Sequence, residues 1–538
     1  MLHPDIPLSR HGIYDAPGPD DQDGVIRQCQ IHFIAEAIRE THREAVEALF
    51  MDQPPKQTGS MKPRIQLVDW PEFPAVERLL PRKTPNYGLG PITENEGTID
   101  GTYAVIRNIF VDQLGYNPDT DFDGPLRLVY GDQKTVSLIQ VVKKEQAEAT
   151  LPYDRCNWLL PIPGLFHWRT NYMDMIHELY SGTEAAADET TLHHNKNFLG
   201  CVQGHKSPFH HKEEVATRAF DARVTAKFYL LLRSFANEKD KDIQLSTDEE
   251  INHYIKNMTR ASFHRIIENI RDELFTMAEQ QSENMAKLFP DRPIDFPFST
   301  HAKVLQQIAI YKIMKKAIKY ADIGILRRIF ALCCFLFHGS KKSKYVFLSL
   351  YMTWLTQTPA ASPELQKAIL ANGLVNIRGA EDSWFEIDRL NEFFNLQMKS
   401  LMTTRRTSTV EVTPMFQRMA LTASYCTELK AKLEAEFGEY SNGRHQIKDA
   451  SMDVRNLAHE IAQSDSIQKH LNGRDSWFKP PDILSRGSSE ALAKGVEKFN
   501  QQRLHGGCQG GEEPSHLTST PIAALDKFVT IADDEDEI

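Results

Sequence analysis

Two short apolar runs separated by one amphipathic helix set the tightest limit on this fold. "LRLVY" (126–130) and "NWLLPIPG" (157–164) have the composition of buried strands. Between them, "VSLIQVVKKEQAEA" carries Val136, Ile139 and Val142 on one stripe. A strand, a crossover helix and a second strand in one sheet predict a right-handed unit with the two strands parallel. Parallel strands are covered on both faces, so the chain must supply helices to pack on them. A second helix, "FHWRTNYMDMIHELY", follows at once. Its spacing puts Trp168, Tyr172, Met175 and Leu179 on an apolar face and His167, Asn171, Asp174 and Glu178 on another.

The first strand runs into "YGDQKT", which places Asp132 at the carboxyl tip of a strand, where ligand sites of open α/β sheets lie. A carboxylate there can hold Mg²⁺ or Mn²⁺ and leave coordination positions to a phosphate. The same residue type also suits a solvated turn or a helix start, and Thr135 is placed to cap the helix. Far downstream, "EIDRLNEFFN" opens a helix with Ile387, Leu390, Phe394 and Leu401 on its apolar stripe and Asp388, Glu392, Asn395 and Lys399 on a polar one. Glu392 is either part of a solvated face or a helix-borne partner for Asp132 at a metal. His167 follows the second strand and can orient a carboxylate, bind a metal or accept a proton; a histidine satisfied by its own structure is the alternative.

From Gly200 to Ala371 the pattern is almost wholly helical. Two strand-helix segments on one side and Glu392 on the other can share a site only if this block is an insertion. The expected organisation is an N-terminal loop and helix (1–60), the first part of an α/β core (61–199), a helical insertion (200–371), core completion with further helices (372–471), and a largely disordered tail (472–538) ending in "ADDEDEI". The stretch "LHHNKNFLGCVQGHKSPFHH" gathers histidines and a cysteine, but its spacing matches no zinc pattern and reads as a polar loop.

A net charge of −11 excludes a generic polyanion binder, so contact with DNA would have to use local basic runs such as "KIMKKAIKY", "HGSKKSKY" and "MTTRRTS". Seven cysteines without a CxxC pair predict reduced thiols, an intracellular setting and no disulfide-linked partner. The N-terminus has no apolar signal core. The longest apolar run, "IFALCCFLF", is about half of the ~20 residues a membrane span needs and predicts a buried helix and no membrane partner. Phosphate-loop, dinucleotide-fold, hydrolase-elbow and zincin motifs do not occur.

"YGDQKT", "WLLPIPGLFHWRTNYM" and "LVNIRG…WFEIDRLNEFFNLQMK", with "ENEGT", "VDQLG" and "KPPDILSRG", resemble a fungal family, domain of unknown function 6589, over about 66–500. That family implies no activity. In order and spacing the chain is also similar to cut-and-paste transposases with a ribonuclease-H-like core. This second resemblance implies a small sheet with flanking helices, a large all-helical insertion and a predominantly α chain. It implies Asp132 and Glu392 as metal-holding acids, His167 as the downstream histidine, and a first acid on an opening strand. Asp69, at the end of "RIQLVDW", is the candidate for that first acid. The implied function is metal-dependent phosphodiester cleavage or strand transfer on DNA in the nucleus, in an active or degenerate copy. The alternative is a non-catalytic helical interaction protein that retains the fold. Oligomeric state is not legible.

Overall fold

The computed structural model describes residues 2–3, 6–8, 24–52, 67–183, 188–201, 208–239, 245–403, 449–487 and 490–504. Among them, helices dominate, and the strands form two two-stranded sheets. Strand β1 (Arg127–Gly131) pairs in parallel with β2 (Leu159–Pro163), register Arg127 to Leu159, as the strand-helix-strand order predicts. The crossover helix, Gln133–Glu145, buries Val136, Leu138, Ile139 and Val142. Strand β2 is buried throughout, whereas β1 is half-buried along its length. Strand β3 (Leu374–Val375) pairs antiparallel with β4 (Phe385–Glu386). A full ribonuclease-H-like sheet is not present among the described residues.

The helical stretch is not set apart from the strand region. One apolar core runs from Leu8 through β2 to Phe499 and includes most of the helices. Its axis is the Phe296–Lys319 helix, buried along most of its length, with Lys315 and Lys319 reaching solvent near its C-terminus. The Ile323–Gly339 helix, containing "IFALCCFLF", is likewise internal, with Cys333 and Cys334 as buried free thiols. Asp322 joins these two helices to the segment before β1. Its carboxylate caps Ile325 N (3.1 Å) and accepts the backbone N–H groups of Val76 (2.9 Å) and Glu77 (3.1 Å). Each large side chain fully buried in such a core contributes roughly 1.5–3 kcal/mol. No described helix is long and apolar enough to cross a membrane, and no disulfide joins the described cysteines.

Several expectations need correction. The stretch "RIQLVDW" is not a strand where it is described: Val68 and Asp69 form a turn, with Asp69 at φ 59°, and Arg64 to Gln66 lie outside the described residues. The helix over "IDGTYAVIRNIFVDQLG" changes character, with α-helical Ile99–Arg107 passing into a π-helical turn at Asn108–Gln113. Ile106 is buried there, but Ala104, Ile109 and Phe110 are only half-buried. Beyond Asn472, the chain forms helices at Ile483–Gly487 and Glu490–Leu504, and Leu492, Val496 and Phe499 enter the core. Polar composition hid the apolar spacing of those three residues. Residues 505–538 lie outside the described set.

Candidate functional site

The site lies at the carboxyl end of the parallel pair, where β1 and β2 each turn into a helix. Gly131 O accepts Gly164 N (2.7 Å), which locks the two turns together. Asp132 then caps the Gln133–Glu145 helix: its Oδ1 accepts the N–H of Thr135 at 2.7 Å. The cap is therefore Asp132 and not Thr135, and one carboxylate oxygen is committed to the backbone. Gly131 is required here, since a Cβ would stand 2.7 Å from Thr135 Cγ2.

At β2 the next helix, Leu165–Tyr180, begins after Gly164 without a side-chain cap of its own. Asp388, from the start of the Ile387–Thr403 helix, supplies the cap. Its carboxylate accepts Phe166 N (2.9 and 3.1 Å) and His167 N (3.1 Å), and the His167 ring Nδ1 lies 3.1 Å from Oδ2. Gly164 makes room for this, because a Cβ would come within 2.3 Å of Asp388 Oδ2. An anionic group at a helix N-terminus meets both unpaired N–H groups and the positive end of the dipole.

The imidazole is thus held through Nδ1, and its Nε2 lies 3.8 Å from Glu392 Oε1. Asp388 is nearly enclosed at 6 % side-chain exposure, whereas His167 (35 %) and Glu392 (48 %) reach solvent. The hydrogen bond to Asp388 raises the His167 pKa above its ordinary value against the opposing effect of burial. The charges of Asp388, Asp132 and Glu392 push it the same way. Glu392, more than two hundred residues away in the chain, thus comes to the far side of the ring from Asp388.

A buried network fixes the geometry from behind. Arg169 Nε donates to Glu386 Oε1 (2.7 Å), Arg169 donates through a terminal nitrogen to Tyr311 OH (2.7 Å), and Tyr311 OH donates to Glu213 Oε1 (2.8 Å). Ile387 N donates to Gly373 O (3.0 Å). These bonds anchor β4 and deliver Asp388 to the helix end.

Asp69 does not join the site. It is 69 % exposed and lies 3.5 Å from Arg260, whose guanidinium also binds Asp52. The neighbouring Trp70 packs edge-on to Phe50 (5.1 Å), and that contact sends the preceding turn toward the Arg260–Leu274 helix. Cys156 is buried, and desolvation pushes its thiol up to about 11. Among the described residues, no three His, Cys, Asp or Glu side chains are placed to hold a metal. In the histidine-rich stretch, Leu192–Phe198 is a helix and 202–207 lie outside the described residues. The basic runs are partly consumed internally: Lys312 pairs with Asp221 (3.0 Å) and Lys342 with Glu178 (2.6 Å). Arg405 and Arg406 lie outside the described residues.

The model of a family of unknown function, DUF6589, matches residues 26–445, a span that contains every residue of this site. The chain belongs to that family. For this DUF6589 chain, no curated protein and no solved structure matches. Sequence reading reached Asp132, His167 and Glu392, but treated Asp388 only as one position of a polar stripe. The signal for Asp388 was its place four residues before Glu392 on the same face, opposite a glycine-started helix in the DUF6589 chain.

Proposed function

We propose that this edge is the site of a transposase-derived, metal-dependent phosphodiester-cleaving or strand-transferring protein of ribonuclease-H-like ancestry, acting on DNA. One observation carries the reading: at the carboxyl end of a parallel pair, one turn carries a strand-end aspartate and the other an oriented histidine 3.8 Å from a late-helix glutamate. Magnesium commonly binds one or two carboxylates and completes its shell with water and substrate phosphate. Asp132, through the oxygen not used in capping, and Glu392 are the two carboxylates that would hold Mg²⁺ or Mn²⁺ there. A divalent cation bound there supplies Lewis-acid stabilisation of a phosphodiester's developing charge. Asp388 keeps the His167 proton on Nδ1 and turns Nε2 toward Glu392. His167 then serves as a proton-holding neighbour of the acids.

Nicking of supercoiled DNA by the full chain in Mg²⁺ tests this reading. Asp132→Asn and Glu392→Gln should each abolish nicking, as should EDTA, with folding checked by thermal melting. Nicking that survives both substitutions, or its absence from the wild-type chain, defeats the reading. The second reading, a non-catalytic helical interaction protein that retains the fold, draws on one observation: Asp132 and Asp388 both cap helices, a structural task. It predicts no nicking under any of these conditions.

A further inference from the structure

Two chain-distant segments free of acidic residues, 78–93 and 372–380, are stitched together beside the acid cluster. Thr84 N donates to Asn376 O (2.9 Å), and Asn376 N donates to Thr84 Oγ1 (2.9 Å). Gly379, at φ 68°, lies so close that a Cβ would stand 3.0 Å from Lys83 N. The joined strip presents Arg82, Lys83 and Arg378, all exposed. None of the three has an acidic partner among the described residues, in a chain whose net charge is −11. Tyr87, 87 % exposed, stands in the same strip and stacks on no ring among the described residues.

The strip leads to the site at both ends. At one end, Gly373 O accepts Ile387 N, the residue before Asp388, and a Cβ on Gly373 would lie 3.3 Å from the ring of Tyr130, two residues before Asp132. Past its other end, beyond Glu94 and Glu96, a Cβ on Gly97 would lie 3.4 Å from Lys134 Nζ, on the helix that Asp132 caps. Lys134 has no acidic partner among the described residues either.

We propose that this strip binds single-stranded nucleic acid, with Arg82, Lys83 and Arg378 on the phosphates and a base stacked on Tyr87. The inference deepens the function proposed above, on which it rests for the placing of the strand across Asp132 and Glu392. Unpaired cations alone would suit any anion. A solvent-facing aromatic ring interleaved with them suits a base, because every base offers a π-face and stacking is sequence-tolerant. An acidic peptide would be held by the cations, without needing a ring face to stack on.

The test is binding of a fluorescent mixed-sequence DNA strand, longer than the roughly 4–16 nucleotides one such site covers, to the full chain in EDTA. The combined Arg82→Glu, Lys83→Glu and Arg378→Glu variant should bind at least tenfold more weakly. Its salt slope should flatten by about 2, since each single-strand phosphate contact contributes about 0.7. Tyr87→Ala should weaken binding roughly tenfold, while Tyr87→Phe should bind as wild type. All four positions are exposed, so melting temperatures should stay level. A wild-type chain that does not bind, or a charge-reversed variant with unchanged affinity and slope, overturns the proposal. So does tighter binding of a polyglutamate peptide that ignores Tyr87→Ala. Because the assay contains no metal, it separates the two ideas. Binding lost in these variants without any nicking by the wild type keeps the strip and removes the nuclease. Nicking with unaltered binding does the reverse.

Discussion

Three histidines whose pKa values burial lowers and the histidine at the sheet edge are held in opposite ways. His42 is enclosed between Asn252 (2.8 Å) and Tyr229 (2.9 Å), and burial lowers its pKa to about 4. His177, near the far end of the same helix as His167, is lowered to about 4 by burial as well. His301 is fully buried and is also lowered, with Arg223 Nε donating to its Nδ1 at 3.1 Å. His167, by contrast, is raised, and its hydrogen bond to Asp388 is the leading cause. These three imidazoles are thus kept neutral by burial and serve as polar packing groups. The edge gathers acids around an imidazole and leaves part of it in solvent. Polar groups of the first kind hold a fold together; those of the second remain open to chemistry.

The contrast can be broken from either side. Phe228→Ala, in the middle of the helical block, should cost about 3–5 kcal/mol of stability, read by denaturant melts, and leave the His167 titration where it was. Phe228 is fully buried and packs 6.0 Å from Phe263. If the two regions were one mechanical unit, the titration would move too.

At the edge, Gly164→Ala should cost about 1–3 kcal/mol by overpacking against Asp388. It should also displace the cap, visible as a fall in the His167 pKa by NMR. Asp388→Asn keeps the shape but removes the charge. It should cost about 1–2 kcal/mol and bring His167 back toward ~6.5. An unchanged His167 pKa in that variant would mean that Asp388 does not control the imidazole.

The two kinds of histidine also predict two limbs of the stability-pH curve. For the lowered ones the neutral form is favoured on folding, so their contribution is present above ~6.5 and is lost as pH falls toward about 4. For His167 the charged form is favoured, so its contribution is present below ~6.5 and is lost as pH rises through its raised value. His167→Gln should flatten the second limb and leave the first. The smallest effect belongs to Asp69→Ala, which removes an exposed pair with Arg260 and should cost less than about 1 kcal/mol without affecting nicking.

Part of the site was legible because it obeys local rules. A strand that ends in Gly-Asp and opens a helix is visible in eight residues, and the faces of the Leu165–Tyr180 helix follow from period alone. Asp388 was not legible as a site residue. Its role depends on Gly164, more than two hundred residues away, having no side chain, and no local pattern expresses that complement. The same limit explains Asp69, where a strand-like run became a turn once Trp70 docked on Phe50. It also bears on the basic runs, where Lys312, Lys315 and Lys342 were drawn into ion pairs, while less conspicuous cations at Arg82, Lys83 and Arg378 have no acidic partner among the described residues.

The sequence by itself determined the parallel pair, the helical character of most of the chain and the faces of the helix that follows the second strand, because these depend on hydrophobic period and chain connectivity over a few turns. Only the tertiary structure decided which acids meet, which aspartate caps which helix and which cations remain unpaired. Those outcomes depend on distances between segments that the packing of the core, and no neighbouring residue, sets.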